Sequence, residues 1–415
     1  MKVVEKIGDG LLKRADADLE GIKKGVQGIL DDVQKGGDSA LRKYTQKFDG
    51  VEPAGIEVGR KDVRASVKRI PKDILDSLRF AAGSIRSFAE VQMPKADYMG
   101  KKGIELGTKV IPLRRVGCYV PGGRAFYPST VLMGVVPAKV AGVEEVIVCT
   151  PPNSDGKVND VTLAACEIAG ADRVFAVGGV QAIGAMAYGT ETVPKVDKIV
   201  GPGNVYVSAA KGMVPVGIDF FAGPSEVLII ADNSANPDFI ACDLLAQAEH
   251  GPDSAAVLVT PDRNLAERVG RRVDELVRES PRRDMLEKSL ERYSYILIVK
   301  SIDDAVKFAN RYAPEHLEIV CRKDILGRIR NAGSIFVGEY SPVAAGDYCS
   351  GTNHILPTGG GAKFCSGVSV DMFLKKVTWQ KVSKEGLNRI GRAIVTLADA
   401  EGLPEHARSV WERLK

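Results

Sequence analysis

Features that mark several protein classes are missing from this sequence. None of its seven cysteines forms a CxxC pair, which excludes a zinc ribbon and a thioredoxin-type redox site. The chain has no uninterrupted apolar run of about 18 residues, so we predict no membrane-spanning helix. Acidic residues stand near its start, where a signal peptide would need an apolar stretch. We therefore expect a cytoplasmic protein.

An excess of charge of one sign is also missing. The 57 basic and 53 acidic residues are spread along the chain and leave a net charge of +4. This charge is too small and too dispersed to indicate nucleic-acid binding. The length of 415 residues and the hydrophobic content of 45% are typical of a globular protein with two or three compact units.

The spacing of apolar residues predicts an α/β fold. The first hundred residues have mainly helical spacing, with one helix ending near Gly36 and Gly37 and a second over 39–48. From about residue 105, short β-rich runs alternate with helical segments, which indicates parallel sheets. The predicted strands are residues 116–120, 145–150, 173–177, 198–200, 227–231, 256–260, 295–299 and 334–338.

Two further patterns concern the organisation of the chain. The stretches VIVCTPP and AVLVTPD are similar, which indicates two related α/β units. Beyond about residue 370 we predict no more strands, only two amphipathic helices that break at Gly402, with Pro404 opening the second. Their apolar stripes need a surface to pack on, and a partner subunit is a natural one.

Histidine is scarce, with four in the whole chain. Gln247 and His250 are three residues apart, and we predict that they share one face of a helix's last turn, although His250 there could simply cap the helix. Glu315 and His316 are adjacent before a strand-like run, where they could form a general-base pair or an ordinary surface pair.

The other two histidines lie in different surroundings. His354 follows Asp347 in a long glycine-rich segment, 341–364, which we predict to be a loop that builds a site rather than a solvated connector. His406 and Glu401 stand at the break between the last two helices, where an ordinary helix start is the simpler interpretation.

Four of these side chains have the chemistry of a zinc site. Gln247, His250, Asp347 and His406 provide the mixed nitrogen and oxygen ligands that suit zinc. Their spacing does not show that they converge.

The usual GxGxxG motif for a nucleotide cofactor is absent. Short glycine-rich turns at predicted strand ends, 119–123, 177–185 and 201–204, are the alternative binding segments.

Several long blocks resemble the histidinol dehydrogenase family. They occur in the expected order and together cover nearly the whole chain: GGVQAIGA, KVDKIVGPGN, GPSEVLIIAD, LLAQAEHGPDS, APEHLEI and GDYCSGTNHILPT. The resemblance implies zinc and NAD as cofactors. It also implies two successive oxidations of L-histidinol, through L-histidinaldehyde to L-histidine, as the last step of histidine biosynthesis.

The resemblance also implies roles for individual residues. Glu315 and His316 would be the acid and base. Zinc would be held by Gln247, His250 and Asp347 of one subunit with His406 of the other. Tyr119, Gln181 and Asn204 match the family's NAD contacts. The implied substrate contacts are Ser225, Gln247, His250, His316, Asp347, His354, Glu401 and His406.

The fold implied by the resemblance is an intertwined homodimer of α/β subunits. Each subunit would have two incomplete Rossmann-like three-layer domains with small helical extensions at both termini. The implied boundaries are an N-terminal extension over 1–15, a first domain over 16–118 plus 225–368 with the metal and catalytic residues, a second domain over 119–224 on the NAD side, and a C-terminal helical extension over 369–415 that reaches the partner subunit.

Three other functions are compatible with parts of the sequence. A paralogous zinc and NAD enzyme acting on a sulfonated diol would have similar turns and a similar tail. A nucleotide-binding protein without chemistry would not need the adjacent Glu315 and His316. An aldehyde dehydrogenase with Cys349 or Cys118 as nucleophile would need a histidine neighbour, and His354 is near Cys349 in sequence.

Overall fold

Helices and parallel strands alternate along most of the chain. The computed structural model describes residues 1–6, 8–12, 19–122, 126–221 and 223–415. The strands are β1 (Lys2–Val4), β2 (Glu57–Val58), β3 (Tyr98–Lys101), β4 (Ile104–Pro112), β5 (Arg115–Tyr119), β6 (Glu145–Thr150), β7 (Arg173–Ala176), β8 (Lys198–Val200), β9 (Gly217–Ile218), β10 (Glu226–Ala231), β11 (Ala255–Thr260), β12 (Tyr295–Ile298), β13 (His316–Val320), β14 (Ser334–Val337) and β15 (Leu374–Val382).

The helices cover most of the remaining described residues. They are α1 (Leu19–Asp49), α2 (Arg60–Ser66), α3 (Lys72–Val91), α4 (Pro128–Val140), α5 (Asp160–Ala169), α6 (Gly179–Tyr188), α7 (Val205–Lys211), α8 (Pro237–Ala248), α9 (Arg263–Glu279), α10 (Arg283–Arg292), α11 (Ile302–Tyr312), α12 (Val343–Tyr348), α13 (Lys384–Ala400) and α14 (Pro404–Leu414). Helix α1 is kinked at Gly37, whose positive φ of 51° interrupts it as its sequence predicts. None of the helices in these ranges is long and apolar enough to cross a bilayer.

Two six-stranded sheets form the centre of the larger of two compact units, residues 1–92 with 114–373. The first sheet has the order β1-β12-β11-β10-β13-β14 and is parallel throughout. The second has the order β2-β7-β6-β5-β8-β9 and is parallel except for the short edge strand β2. Strands β10 and β11 are buried along their whole length, as expected for parallel strands covered on both faces.

The two sheets repeat one topology. From their central strands, β10 and β5, each adds two strands on one side and then two on the other, which is the 3-2-1-4-5 order of doubly wound folds. The similar stretches VIVCTPP and AVLVTPD fall on β6 and β11, which take the same place in their sheets. The α/β fold with parallel sheets is therefore confirmed, and the weak repeat in the sequence reflects two equivalent units.

The helices that follow the N-terminal segment pack on the second sheet. Val26, Leu30 and Val33 of α1 belong to the core built on β6 and β7. A Cβ at Gly184 of α6 would lie 3.2 Å from the Val33 side chain, so the glycine permits this close packing. The packing differs from the predicted boundaries, which grouped residues 16–118 with the first sheet; the boundary between residues 15 and 16 itself lies outside the described residues.

The smaller unit consists of residues 93–113 and 374–415. Strands β15, β4 and β3 form an antiparallel sheet in that order, and α13 packs against α14. The prediction that strands end near residue 370 was wrong, because β15 pairs with β4 over nine residues of each strand. Three lysines keep β15 polar, and its pairing partner is distant in sequence, so no local apolar run marks this strand. The two final helices and their break at Gly402 are confirmed.

Candidate active site

The candidate catalytic residues meet at the amino edge of the first sheet. Ser225 directly precedes β10, Glu315 directly precedes β13, and His316 is the first residue of β13. These two strands are parallel neighbours with Val227 opposite His316. The side chains therefore come together because two strands that are distant in sequence begin side by side.

Glu315 is buried and hydrogen-bonded through one carboxylate oxygen. Its Oε2 accepts bonds from the Ser225 hydroxyl at 2.7 Å and from the Glu226 backbone N–H at 2.9 Å. Burial raises the pKa of Glu315 well above its ordinary value, and the neighbouring carboxylates of Glu226 and Asp347 raise it further. A carboxyl with a raised pKa is suited to accept and return protons near neutral pH.

A backbone carbonyl determines which nitrogen of His316 carries the proton. The ring's Nδ1–H donates to the Glu226 carbonyl oxygen at 3.2 Å, and Nδ1 lies 3.6 Å from Oε2 of Glu315. The other nitrogen, Nε2, is buried, has no hydrogen-bond partner, and lies 3.7 Å from Oδ1 of Asp347. Burial lowers the pKa of His316 to about 3, so the neutral ring presents the Nε2 lone pair as a base.

Gln247 and His250 stand where α8 returns to the same edge. Asn236 caps the start of this helix by accepting a bond from the Asp238 N–H. The Gln247 amide donates through Nε2 to the Ser225 hydroxyl at 2.8 Å, while its Oε1 is buried without a partner. The helix ends at Ala248, so His250 lies in the turn beyond it rather than on the last helical turn as predicted.

The predicted loop 341–364 contains a helix that presents Asp347. Helix α12 starts at Val343, whose N–H donates to Oε1 of Glu318 at 3.0 Å. The sequence-based assignment of a loop was wrong here, because the group that accepts from the first turn comes from β13 rather than from neighbouring residues. Burial raises the pKa of Asp347 to about 7.

His354 hydrogen-bonds the backbone of Asp347. Its Nδ1–H donates to the Asp347 carbonyl oxygen at 2.9 Å, and its Nε2 accepts from the Thr130 hydroxyl at 3.1 Å. Burial lowers the pKa of His354 to about 4, which keeps the ring neutral. Both ring nitrogens are thus engaged within the protein, and the predicted substrate contact of His354 stays a prediction.

The groups at this edge fit the chemistry of a divalent cation. Gln247 offers an unpartnered Oε1, Asp347 offers a carboxylate beside His316, and His250 lies three residues after Gln247 in the chain. Within the described ranges, no three His, Cys, Asp or Glu side chains are placed to hold a metal together. Of the predicted zinc ligands, one subunit supplies only two that are His, Cys, Asp or Glu, namely His250 and Asp347. A search for three such side chains in one chain therefore does not test the predicted zinc site.

The two remaining predicted site residues, the substrate contact Glu401 and the zinc ligand His406, belong to the smaller unit. Glu401 directly follows α13, and His406 lies in the first turn of α14. Both side chains are exposed. Their meeting with Gln247, His250 and Asp347 stays a prediction.

The predicted NAD contacts lie at the carboxyl edge of the second sheet. Tyr119 ends β5 and accepts the Gly179 N–H through its hydroxyl at 3.2 Å; burial raises its pKa to about 12. Asn204 follows β8 and caps α7, accepting N–H bonds at 3.0 and 3.1 Å. Gln181 is 1% exposed, and neither atom of its amide has a partner. Gly123, the last residue of the predicted 119–123 turn, lies outside the described residues.

Sequence reasoning missed residues that support the first site. Glu226 supplies the carbonyl that binds His316 and the N–H that binds Glu315, and Thr130 holds His354. Glu318 accepts the Val343 N–H at the start of α12 at 3.0 Å. Glu226 and Glu318 had a recognisable signal, because each is a glutamate next to a run of apolar strand residues.

Buried cysteines do not supply a nucleophile. Cys118 lies within β5 and is 1% exposed, and burial raises the pKa of its thiol far above the ordinary value. Cys349 is exposed at the end of α12. The structure therefore argues against Cys118 as a nucleophile and leaves Cys349 to experiment.

Comparison with known proteins places the chain in a family. The family model described as histidinol dehydrogenase matches residues 12–414. The chain is 53% identical to the histidinol dehydrogenase of Methanosarcina barkeri, covering 97% of this chain and 94% of that protein. It is 50% identical to that of Methanothermobacter thermautotrophicus, with 98% and 96% coverage. The crystal structure of histidinol dehydrogenase from Elizabethkingia anophelis superposes with a TM-score of 0.95 at 39% identity, covering 100% and 98% of the two chains. On sequence and on structure, this chain belongs to the histidinol dehydrogenase family of oxidoreductases.

Proposed function

We propose that the protein oxidises L-histidinol to L-histidine in two NAD-dependent steps, with L-histidinaldehyde as the intermediate, in the last step of histidine biosynthesis. One observation carries this proposal: His316 presents an unpartnered, buried Nε2 beside Asp347, with Glu315 on its other side. A base and a second proton acceptor side by side are what the two oxidations need, and a protein that only bound nucleotide would not need them.

His316 serves the first oxidation. The Glu226 carbonyl keeps the ring proton on Nδ1, so Nε2 accepts the proton of the substrate hydroxyl as hydride leaves the carbon. The imidazolium that forms is stabilised by the Glu315 carboxylate, 3.6 Å from Nδ1. The ring does not have to rotate or change tautomer during this transfer.

Glu315 serves the second oxidation. An aldehyde must be hydrated before it can lose a second hydride, and Glu315 accepts a proton from the attacking water. Ser225 and the Glu226 N–H hold only Oε2, so the other oxygen is the one that we assign to the water. Bonds from Gln247 to Ser225 and from Ser225 to Glu315 connect the predicted metal ligand with this base.

We assign the metal site to Gln247, His250 and Asp347, with His406 of the partner subunit completing it. Zinc, when bound, would hold the imidazole and amine of the substrate so that the reacting carbon is fixed in position. Ser225, His354 and Glu401 are the further proposed substrate contacts. The unpartnered Gln247 oxygen supports this assignment, since a buried amide oxygen normally has a partner.

We assign NAD binding to the second sheet. NAD, when bound, would accept the hydride. Tyr119, Gln181 and Asn204 stand where β5, β7 and β8 end, and β5 and β8 flank the point at which the strand order reverses. Ligands of doubly wound sheets bind at this point, so the Rossmann-like character of the unit supports the assignment. Oδ1 of Asn204 is engaged in capping α7, which leaves its Nδ2 hydrogens for the cofactor.

An intertwined homodimer is part of the proposal. The smaller unit carries Glu401 and His406 and leaves large apolar side chains exposed, among them Tyr98 at 66%, Leu397 at 63% and Trp411 at 54%. Exposed apolar side chains in one small unit are typical of a surface that pairs with another subunit. A cytoplasmic location stays a prediction that no contact in the structure tests.

The decisive experiment supplies zinc-loaded protein with NAD and either L-histidinol or a sulfonated diol. We expect NADH absorbance with histidinol alone, because the relatives reported above are histidinol dehydrogenases. Signal with the diol and none with histidinol would overturn the proposal.

The same assay tests Cys349 as a nucleophile. The Cys349→Ala variant should keep both oxidation steps, and loss of the second step would favour a thiol nucleophile.

The shared site has its own test. Chains carrying His406→Ala and chains carrying Glu315→Gln should each be inactive. Co-refolded heterodimers should recover activity, because one of their two sites would contain both native residues. Heterodimers that form but stay inactive would argue against a His406 contributed by the partner.

A further inference from the structure

The turn at residues 201–204 contains the proposed NAD contact Asn204, and a buried ion pair binds the backbone of its first residue, Gly201. Lys211 is the last residue of α7, and Asp219 follows β9. Their side chains are 2% and 0% exposed, and Nζ of Lys211 pairs with Oδ1 of Asp219. Neither residue belongs to any contact assigned above.

Both charged groups bind the backbone of Gly201. The Lys211 ammonium donates to the Gly201 carbonyl oxygen at 3.0 Å, and Oδ2 of Asp219 accepts the Gly201 N–H at 2.8 Å. Oδ1 of Asp219 also accepts the Phe220 N–H at 2.7 Å, and the Lys211 ammonium lies 5.9 Å from the centre of the Phe220 ring. The two charges are therefore satisfied by each other and by backbone groups.

The position of Gly201 leaves no room for adjustment. Its φ is +123°, and a Cβ at this residue would lie 2.0 Å from the carbonyl oxygen of Tyr119. The turn thus runs against the end of β5, where the Tyr119 side chain begins. Because both hydrogen-bonding groups of Gly201 are held by one ion pair, the pair determines how the turn leaves β8.

We propose that the buried Lys211–Asp219 pair is the positioning element that sets the 201–204 turn, and with it Asn204, for the cofactor. The inference rests on the proposed NAD site. Burying two charges is costly unless geometry and further hydrogen bonds offset the desolvation, and here each partner makes one of its hydrogen bonds to Gly201 of the turn. A pair that only stabilised the fold would not have to bind both the N–H and the carbonyl oxygen of one residue at the predicted cofactor edge.

A second lysine–aspartate pair beside the same sheet, 25% and 37% exposed, provides a control. The Lys139 ammonium pairs with Oδ2 of Asp172 at 3.0 Å and reaches the Val143 carbonyl oxygen at 3.4 Å, and Asp172 accepts the Val146 N–H at 2.7 Å. This pair has the same chemistry but holds the amino end of β6, away from the turn.

The test compares two double variants of the zinc-loaded full-length protein, Lys211→Met with Asp219→Asn and Lys139→Met with Asp172→Asn. Calorimetry with NAD should show a dissociation constant raised roughly ten- to a hundredfold for the first variant, because small misplacements of a contact group have effects of this size. Zinc content and the dissociation constant for histidinol should stay at parent values. The second variant should bind NAD as the parent does.

Three results would overturn the inference. One is parent-like NAD binding by a folded Lys211→Met, Asp219→Asn protein, and another is an equal loss of affinity in the control variant. In the parent protein, hydrogen exchange provides a measurement that does not depend on whether variants fold. The Gly201 amide should be protected without NAD, and exchange at the rate of an open loop is the third such result. A parent that does not bind NAD at all would instead refute the proposed function.

Discussion

In the first sheet the candidate catalytic side chains stand at the amino ends of β10 and β13, whereas in the second sheet the predicted NAD contacts follow the carboxyl ends of β5, β7 and β8. The strand order is the same in both sheets, so topology alone does not decide which edge carries a site. The carboxyl edge is the usual place for ligands in doubly wound folds. The first sheet departs from this rule.

The directions of the helices explain how the two edges differ. Helices that follow parallel strands run back along the sheet, so their C-termini gather at the amino edge and their N-termini at the carboxyl edge. The end of α8 at the first edge therefore favours a cation, while the start of α6 at the second favours an anionic group. A metal and a dinucleotide diphosphate suit these two edges respectively.

The side chains follow the same division. The first edge has carboxyls and histidines whose pKa values are moved toward their neutral forms by burial, with Glu315 raised and His316 lowered to about 3. The second edge has glycine turns and an amide, and the buried Lys211–Asp219 ion pair there is internally neutral. One edge thus has groups with the chemistry to exchange protons, and the other has groups whose chemistry suits binding.

The largest effect that we predict falls on the proton-exchanging edge. His316→Asn removes the Nε2 lone pair, and because a positioned base contributes about 10²–10⁴-fold, turnover should fall at least roughly a hundredfold. Steady-state turnover with histidinol and NAD measures this. Zinc content by atomic absorption should not change. Unchanged turnover would remove His316 from the mechanism and weaken the contrast between the edges.

The metal should depend on the first edge alone. Gln247→Leu keeps the size of the side chain but removes the unpartnered Oε1, so zinc affinity should fall at least roughly tenfold in competition with a chelator. NAD affinity should stay the same. The exposed Gln46→Leu is the control, and zinc affinity equal to the parent's in Gln247→Leu would mean that another group holds the metal.

The tight turn of the second edge should respond to a single methyl group. Gly201→Ala places a Cβ 2.0 Å from the Tyr119 carbonyl oxygen and strains a φ of +123°, so the free energy of unfolding in urea should fall by roughly 1–3 kcal/mol or more. NAD affinity should fall as well. Gly338→Ala separates backbone strain from close contact as the cause of the loss. Gly338 has a φ of +95°, but no atom lies within 4 Å of an added Cβ. Equal losses in the two variants would show that close packing at Gly201 has no effect.

The smallest predicted effect concerns pH. Burial raises the pKa of Asp243 from 3.8 to about 6, so the folded protein holds a proton that the unfolded chain releases. This contribution to stability is complete below about pH 4 and is lost as pH rises through about 6. Between these pH values the free energy of unfolding of the parent should fall by an amount of the order of 1 kcal/mol because of Asp243, and the Asp243→Asn variant should lack this fall. If the free energies of unfolding of parent and variant changed in parallel with pH, this prediction would be contradicted.

Local sequence pattern was sufficient for the buried strands. Each predicted strand of the two large sheets overlaps an observed one, because parallel strands covered on both faces are continuous apolar runs. The same rule fails for β4, which is mostly half-buried, and for β15, which is mostly exposed; the two strands depend on each other for hydrogen bonds. Helix α12 was missed for a related reason, since the Glu318 carboxylate that accepts from its first turn lies on another strand.

The sequence by itself determined the α/β class, the family and the adjacent Glu315 and His316, because these depend on apolar periodicity and on residue blocks that are read in order. Only the tertiary structure decided that His316 carries its proton on Nδ1 and that Lys211 and Asp219 hold Gly201. Each of these depends on a hydrogen-bond partner that chain folding brings from a distant segment. No local pattern records such a partner.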